Sequence, residues 1–418
     1  MHGTDSTKGS IMPMYMPERI LVAPSGFKES LSAVDVADAI AAGVRRVYPG
    51  VRIDRQPIPD GGEGTIEILS TRPDTIPHHK KVQGPVEGQS VAATWLELAN
   101  KTAVVEMASA AGLSLVPSDM RDPGMTSTVG VGELIADALD KGMRTIIIGC
   151  GDSGTTDGGA GALTALGVRI LDENGADIGL GGNSLHNAAS IDTTNLHPRI
   201  HQARLHLACN MHNVLTGDHG VAAVFGPQKG ATPEQVDSLG RALTHWADLL
   251  VQTFNPDTNI HTGPGSGASG GLGAGLMALG AEAHNRFDVF LGSMLNGHAE
   301  TLDDLFEEAD LVITAEGAID YQTPPGKVPA EIARRAQATG VPVLALAGSL
   351  GEGAPQVHDI GIGAVASIMT VPMPLEHAVR DGRELLSDAA ERTMRLLQLG
   401  SVMSGRCENK LRRRFGAA

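Results

Sequence analysis

Short apolar runs recur along the chain, and most give way to glycine and polar residues before a helical pattern resumes. Ile20–Ala23 predicts a first strand that ends at Pro24-Ser25-Gly26. Val36, Ala37, Ile40, Ala41 and Val44 follow at helical spacing and predict a helix from Ser32 to about Val47, with Ser32 as its N-cap. Val51, Ile53 and Ile58 predict a second strand that delivers the chain to Asp60. Thr102–Met107, Thr145–Cys150, Leu205–Cys209, Leu311–Thr314, Val341–Ala347 and Ala364–Met369 read as further strands. Helical patterns separate most of them. Strand, glycine-bearing loop and helix in alternation predict an α/β protein with ligand loops at the carboxyl ends of its strands. The glycine-dense stretch His261–Gly280 fits either a linker or a loop that opens a helix, and Leu272, Leu276 and Leu279 favour the helix.

Composition narrows this picture. The 418 residues suffice for two or three domains. Glycine contributes 53 residues, about 13% where soluble chains average about 7%. The glycines cluster after apolar runs, as ligand-facing turns do. Asp plus Glu number 48 against 32 Lys plus Arg, a formal charge of -16. That field argues against nucleic acid or an anionic membrane as partner, but not against a small anion bound by local lysines and backbone N–H groups. Cys150, Cys209 and Cys407 show no CxxC spacing, so a disulfide framework is not expected and a reducing cytosol fits. No apolar run is long enough for a transmembrane helix. Residues 1–17 read as a flexible extension and residues 391–418 as a C-terminal tail.

Several familiar sites are absent. GPQKGATP and QTPPGKVP miss the Walker spacing, the first unit lacks GxGxxG, and HExxH does not occur. Cys209, His212 and His219 lack a fourth partner for a structural metal. What remains is polar residues at predicted strand ends: Ser25 and Lys28 after the first strand, Asp60 and Glu63 after the second. Asp152, Ser153, Thr155, Thr156 and Asp157 follow Cys150, Gln228 and Lys229 sit in VFGPQKGAT, and Glu316, Asp320 and Gln322 sit in AEGAIDYQT. Each loop alone is compatible with a turn or helix cap. Together they suit phosphoryl transfer: glycine-rich N–H groups and lysine meet phosphate, while carboxylates position Mg²⁺ or accept a hydroxyl proton.

In the same order, APSGFKESLSA, PIPDGGEGT, GDSGTTDGGAGALTALG, GVAAVFGPQKGATPE, SGGLGAG and EGAIDYQTPPGKVP resemble the motifs of the type-1 bacterial glycerate kinases. The resemblance spans roughly residues 20 to 380. It implies ATP- and Mg²⁺-dependent phosphorylation of D-glycerate, giving 2-phosphoglycerate. It also implies two α/β domains, one of them Rossmann- or flavodoxin-like with three layers, and an active site in the cleft between them. The expected division is 18–90 with 290–390 for a discontinuous domain and 91–289 for the middle one. The chain departs from the family pattern at Ser25 and Gly26, Asp152 and Thr156, Asn210 and His212, and Ala318 and Tyr321. The Arg missing at Ala318 is the change most relevant to anion binding.

On this reading Asp60, Asp320 and Lys28 are catalytic. One carboxylate orients or deprotonates the substrate hydroxyl and the other serves the metal, in either order. Asp60, Glu316 and Asp320 are the expected metal ligands. Ser25, Glu63, Ser153, Thr155, Thr156, Asp157, Gly158, Lys229 and Gln322 are the expected substrate and nucleotide contacts. The protein would act in the cytoplasm as a monomer or homodimer. The competing readings are a glycerate 3-kinase, a kinase for a related hydroxy acid, a non-catalytic binding protein for a small acid, and a phosphatase.

Overall fold

The computed structural model describes residues 16–27, 30–292, 295, 302–321, 323–324 and 326–415. The first fifteen residues of the expected extension lie outside them, as do Lys28 and Gln322. In chain order the strands are β1 (Arg19–Val22), β2 (Arg52–Arg55), β3 (Ile76–Gln83), β4 (Ser90–Leu98), β5 (Thr102–Glu106), β6 (Thr145–Gly149) and β7 (Arg169–Leu171). They continue with β8 (Ser190–Asp192), β9 (Arg204–Cys209), β10 (Glu282–Asn285), β11 (Leu311–Ile319), β12 (Val343–Leu350) and β13 (Ile362–Ser367). The chain divides into two compact units, Met1–Pro57 with Leu302–Ala418, and Ile58–Thr301. Among the described residues no helix is long and apolar enough to cross a membrane.

The discontinuous unit is built on a parallel sheet in the order β2-β1-β11-β12-β13. This is the flavodoxin-like order, in which the direction of travel reverses between the first and third strands of the unit. The helix Ala33–Arg45 begins where Ser32 Oγ accepts the N–H of Asp35, as the sequence predicts. Its apolar stripe and Leu386, Ala389, Ala390 and Met394 of the long helix Gly382–Phe415 cover Ile20, Val22, Ile313 and Leu346 on one face. Leu21 and Val312 alternate to the other face. There the helices Leu302–Glu308 and Val328–Thr339 bury Phe306, Ile332 and Ala333. Residues 391–415 are therefore helix rather than tail, because the stripe that starts at Leu386 continues to Met394.

The contiguous unit holds a mixed sheet in the order β10-β9-β6-β5-β4-β3, parallel from β10 to β5 and antiparallel beyond. A small ribbon pairs β7 with β8. One face carries Trp95, Val105, Ile146, Ile148, Leu205 and Leu207, covered by the helices Val129–Asp140, Ala160–Ala165, Pro233–Phe254 and Ala268–Ala278. Leu96, Val104, Ile147 and Ala208 point the other way, against Ile66, Leu69, Val289 and Phe290. The first crossing between units falls after Pro57, not near residue 90, because β3 pairs along its whole length with β4 inside this sheet. The second falls before Leu302, not near residue 290. The glycine-dense stretch opens a helix, Ala268–Ala278.

Candidate active site

In the contiguous unit β5, β6, β9 and β10 run parallel, so their carboxyl ends share one edge of the sheet. Glu106 ends β5, Cys150–Asp157 follow β6 and Asn210 follows β9. The loop Asp60–Gly64 is pressed onto this edge. A methyl group on Gly61 would stand 3.1 Å from the Ala208 carbonyl oxygen and 3.3 Å from the Cys150 nitrogen, and one on Gly62 would collide with Asp152 Oδ2. Glycine at these positions therefore lets the backbone approach the strand ends. Within the loop Gly62 N–H donates to Asp60 Oδ1 at 3.0 Å, and Asp152 fastens it to the edge by accepting the Glu63 N–H on Oδ2 at 3.0 Å. Asp152 has φ +52, a left-handed conformation that costs a side-chain-bearing residue about 1–2 kcal/mol. The N–H it accepts from Glu63 offsets part of that cost.

Glu106, absent from the residues expected at the site, lies beneath this loop. It is buried and accepts the Ile66 N–H on Oε2 at 2.8 Å. Burial pushes its carboxyl pKa up to about 8, with the negative charges of Glu63 and Asp152 adding to the shift. Its signal in the sequence is one carboxylate closing an otherwise apolar strand.

The loop after β6 turns inward. Asp157 is fully buried and accepts from Thr128 N–H at 2.8 Å, Thr128 Oγ1 at 2.8 Å, Ser127 Oγ at 3.4 Å, Gly159 N–H at 3.1 Å and Gly161 N–H at 3.2 Å. Burial raises its pKa while these donors pull it back. Asp157 thus joins the first turn of Ala160–Ala165 to the start of Val129–Asp140. Lys229 is 2% exposed, and its Nζ donates to Ser153 Oγ at 2.9 Å and to the Thr155 carbonyl at 2.6 Å. Burial lowers its pKa to about 7, and the charge of Asp157 opposes the shift. Gly158 is buried as well, with its carbonyl accepting from Trp246 Nε1 at 2.9 Å and its N–H donating to the Gly270 carbonyl at 3.1 Å. Thr155 and Thr156 are fully buried, and their hydroxyls have no hydrogen-bond partner among the described residues. Such a group costs about 1–3 kcal/mol of desolvation when left unmatched.

The discontinuous unit presents its polar groups differently. Ser25 lies just past β1, where its N–H and Oγ both donate to the Ala315 carbonyl, at 3.0 and 3.1 Å. This is the point where the strand order reverses, the usual ligand position in an open parallel sheet. β11 does not stop at Thr314; it stays paired with β12 as far as Ile319–Leu350 and carries Glu316 within the strand. Asp320 follows, with its N–H donating to Thr323 Oγ1 at 3.2 Å. Lys327 Nζ stands 3.5 Å from Glu316 Oε1 and 3.6 Å from Asp320 Oδ1, and all three side chains are partly exposed. Lys327 too was missing from the expected site; its signal is the GK of PPGKVP directly before the helix Val328–Thr339. Among the departures from the family pattern, Tyr321 is exposed and Ala318 pairs with Ser349 inside the β11–β12 ladder.

Within each unit the expected residues thus converge in part: Asp60 on the Gly62 N–H and Glu63 on Asp152, Ser153 and Thr155 on Lys229, and Glu316 and Asp320 on Lys327. Comparison with known proteins adds an independent line. A family model described as the Glycerate kinase family matches residues 20–398. A glycerate kinase from Halalkalibacterium halodurans is 44% identical over 373 residues, covering 89% of this chain and 96% of that one. Glycerate 2-kinase from Escherichia coli K12 is 40% identical over 389 residues, covering 93% of this chain and all of that one. A crystal structure from Salmonella typhimurium LT2, assigned as glycerate kinase 2, is 40% identical with a TM-score of 0.72, covering 92% and 99% of the two chains.

Proposed function

The chain belongs to the glycerate kinase family, and from that premise we propose that it transfers the γ-phosphoryl group of ATP to the C2 hydroxyl of D-glycerate with Mg²⁺ present. Kinase activity follows from the family. The C2 assignment rests on the 40% identity along the whole length of the Escherichia coli glycerate 2-kinase. The products are 2-phosphoglycerate and ADP: a bond forms from the C2 oxygen to γ-phosphorus as the bond from γ-phosphorus to the β–γ bridging oxygen breaks.

Asp60 and Asp320 are the two carboxylates assigned to this chemistry. One accepts the proton of the attacking hydroxyl and the other serves the metal. Asp60, Glu316 and Asp320 offer carboxylate oxygens, the hard donors that Mg²⁺ takes, so the residues fit the ion. When bound, Mg²⁺ supplies charge neutralisation at the phosphate oxygens. Lys327, held between Glu316 and Asp320, gives that region a cation for a phosphate or the substrate carboxylate, and Lys28 is assigned the same task. Ser25, Glu63, Ser153 and Gln322 are assigned as contacts for the substrate and nucleotide. Thr155 and Thr156, whose buried hydroxyls find no partner among the described residues, are assigned to the same ligands. Asp157, Gly158 and Lys229 act by holding the loop after β6 in shape, which their burial supports. The enzyme works in the cytoplasm, as a monomer or homodimer, on small molecules alone.

The deciding experiment incubates enzyme, ATP, Mg²⁺ and D-glycerate, then locates the phosphate by ³¹P NMR and by direct conversion with enolase. Product that enolase dehydrates without a mutase supports transfer to C2. Accumulation of 3-phosphoglycerate overturns it, and turnover undiminished by EDTA overturns the metal assignment.

A further inference from the structure

Strand β10 is four residues long, lies at the end of its sheet and, among the described residues, pairs with β9 alone. The register sets His206 of β9 opposite Glu282 of β10, and the two-residue period of a strand brings His284 to the same face as Glu282. His206 Nδ1 and His284 Nε2 are 2.9 Å apart. Glu282 Oε2 stands 3.9 Å from the first nitrogen and 3.5 Å from the second. The two rings are tilted by 52° with centroids 5.0 Å apart, so their nitrogens converge while the rings do not stack.

A hydrogen bond between the imidazoles explains one of these three contacts. It leaves the approach of Glu282 to both rings unexplained. Metal–ligand bonds of about 2.0–2.2 Å place the donors of a four-coordinate ion about 3–4 Å from one another, which is the spacing found here. The donor types narrow the ion. Two imidazole nitrogens and one carboxylate oxygen suit zinc and its neighbours in the transition series, whereas Mg²⁺ and Ca²⁺ take oxygen alone. His206 and His284 are partly buried and Glu282 is exposed, so the cluster has both a fixed wall and an open side for solvent.

We propose that His206, Glu282 and His284 bind one divalent transition-metal ion of the zinc class, with water as the fourth ligand. The site is additional to the Mg²⁺ of phosphoryl transfer and shares no residue with it. Its consequence is mechanical: the ion ties edge strand β10 to β9. β9 runs on into Asn210, and β10 runs on into the helix Arg286–Leu291, whose Phe290 packs against Gly61.

The test uses full-length enzyme stripped with a chelator, then dialysed against Zn²⁺ alone. One Zn²⁺ per chain is expected, together with a higher Tm and, with Co²⁺ substituted, the visible absorption of a four-coordinate site. His284→Ala and His206→Gln each weaken Zn²⁺ binding at least about tenfold, the loss that even an outer-shell change causes, and both abolish the Tm rise. His219→Ala, at an exposed histidine outside the cluster, leaves binding unchanged. If His206→Gln fails to fold, Glu282→Gln on the exposed carboxylate carries the comparison. Failure to take up Zn²⁺, or equal uptake by wild type and the cluster variants, overturns the proposal.

Discussion

The loop after β6 and the region from Glu316 to Lys327 carry similar signals in sequence, acidic and hydroxyl residues beside glycine after an apolar run, yet they present them in opposite ways. Thr155, Thr156, Asp157 and Lys229 are at most 2% exposed, and Asp157 and Lys229 spend their hydrogen bonds on the protein itself. Glu316, Asp320 and Lys327 keep partly exposed charges, with ion-pair distances of 3.5 and 3.6 Å that are looser than a direct hydrogen bond. The first set of groups is therefore turned into the protein, whereas the second stays partly open to solvent. Motif density in a sequence reports a constrained backbone as readily as it reports contact with substrate.

Substitutions can pull this contrast apart. The largest effect is expected from Asp320→Asn, which should lower kcat about 10²- to 10⁴-fold, the range for loss of an acid–base group, while the urea midpoint stays put. Wild-type turnover in that variant would remove Asp320 from the chemistry. Asp157→Ala should do the reverse. Removing one member of a buried charged network costs about 3–5 kcal/mol, so urea unfolding should shift strongly. A stable protein with low kcat would instead make Asp157 a reacting group and erase the contrast.

A further effect is a pH dependence at Glu106. Its carboxyl pKa is raised from 4.5 to about 8, so the folded state holds the proton more tightly than the unfolded chain does. The stabilisation from this group is complete below pH 4.5 and is lost as pH rises to about 8. Glu106→Gln keeps a neutral acceptor for the Ile66 N–H and removes that slope. The stability of wild type relative to E106Q should therefore decline across this window in denaturation curves taken at a series of pH values. A constant difference would mean that Glu106 is ionised throughout.

The strands legible in sequence were those buried on both faces. β5 and β6 hold unbroken apolar runs and β9 one interrupted only by His206, and they appear where the runs predict. β3 was not legible because IPHHKKVQ is an edge strand that buries only Val82, leaving no alternation to detect. The end of β11 was obscured for another reason: Glu316 and Gly317 look like a turn, and only the partner strand β12 keeps them extended. The same limit applies to the site. Asp60 and Asp152 announce themselves beside glycines and Asp320 in a polar stretch after an apolar run, whereas Glu106 and Lys327 acquire their meaning from neighbours distant in sequence or across a loop.

The pairing of Ile20 with Leu311 sets an order of events during synthesis. β1 and β2 leave the ribosome first, but the sheet they belong to cannot close until β11 follows, after the whole of Ile58–Thr301 has been made. That inserted segment has its own core and is available to fold while β1 waits. Closing so long a loop is entropically slow unless the inserted segment has already folded and drawn its ends in. β1, an inner strand of the discontinuous unit, is thus translated early and completed late, and a lesion that delays the insert leaves it without a partner on its β11 side.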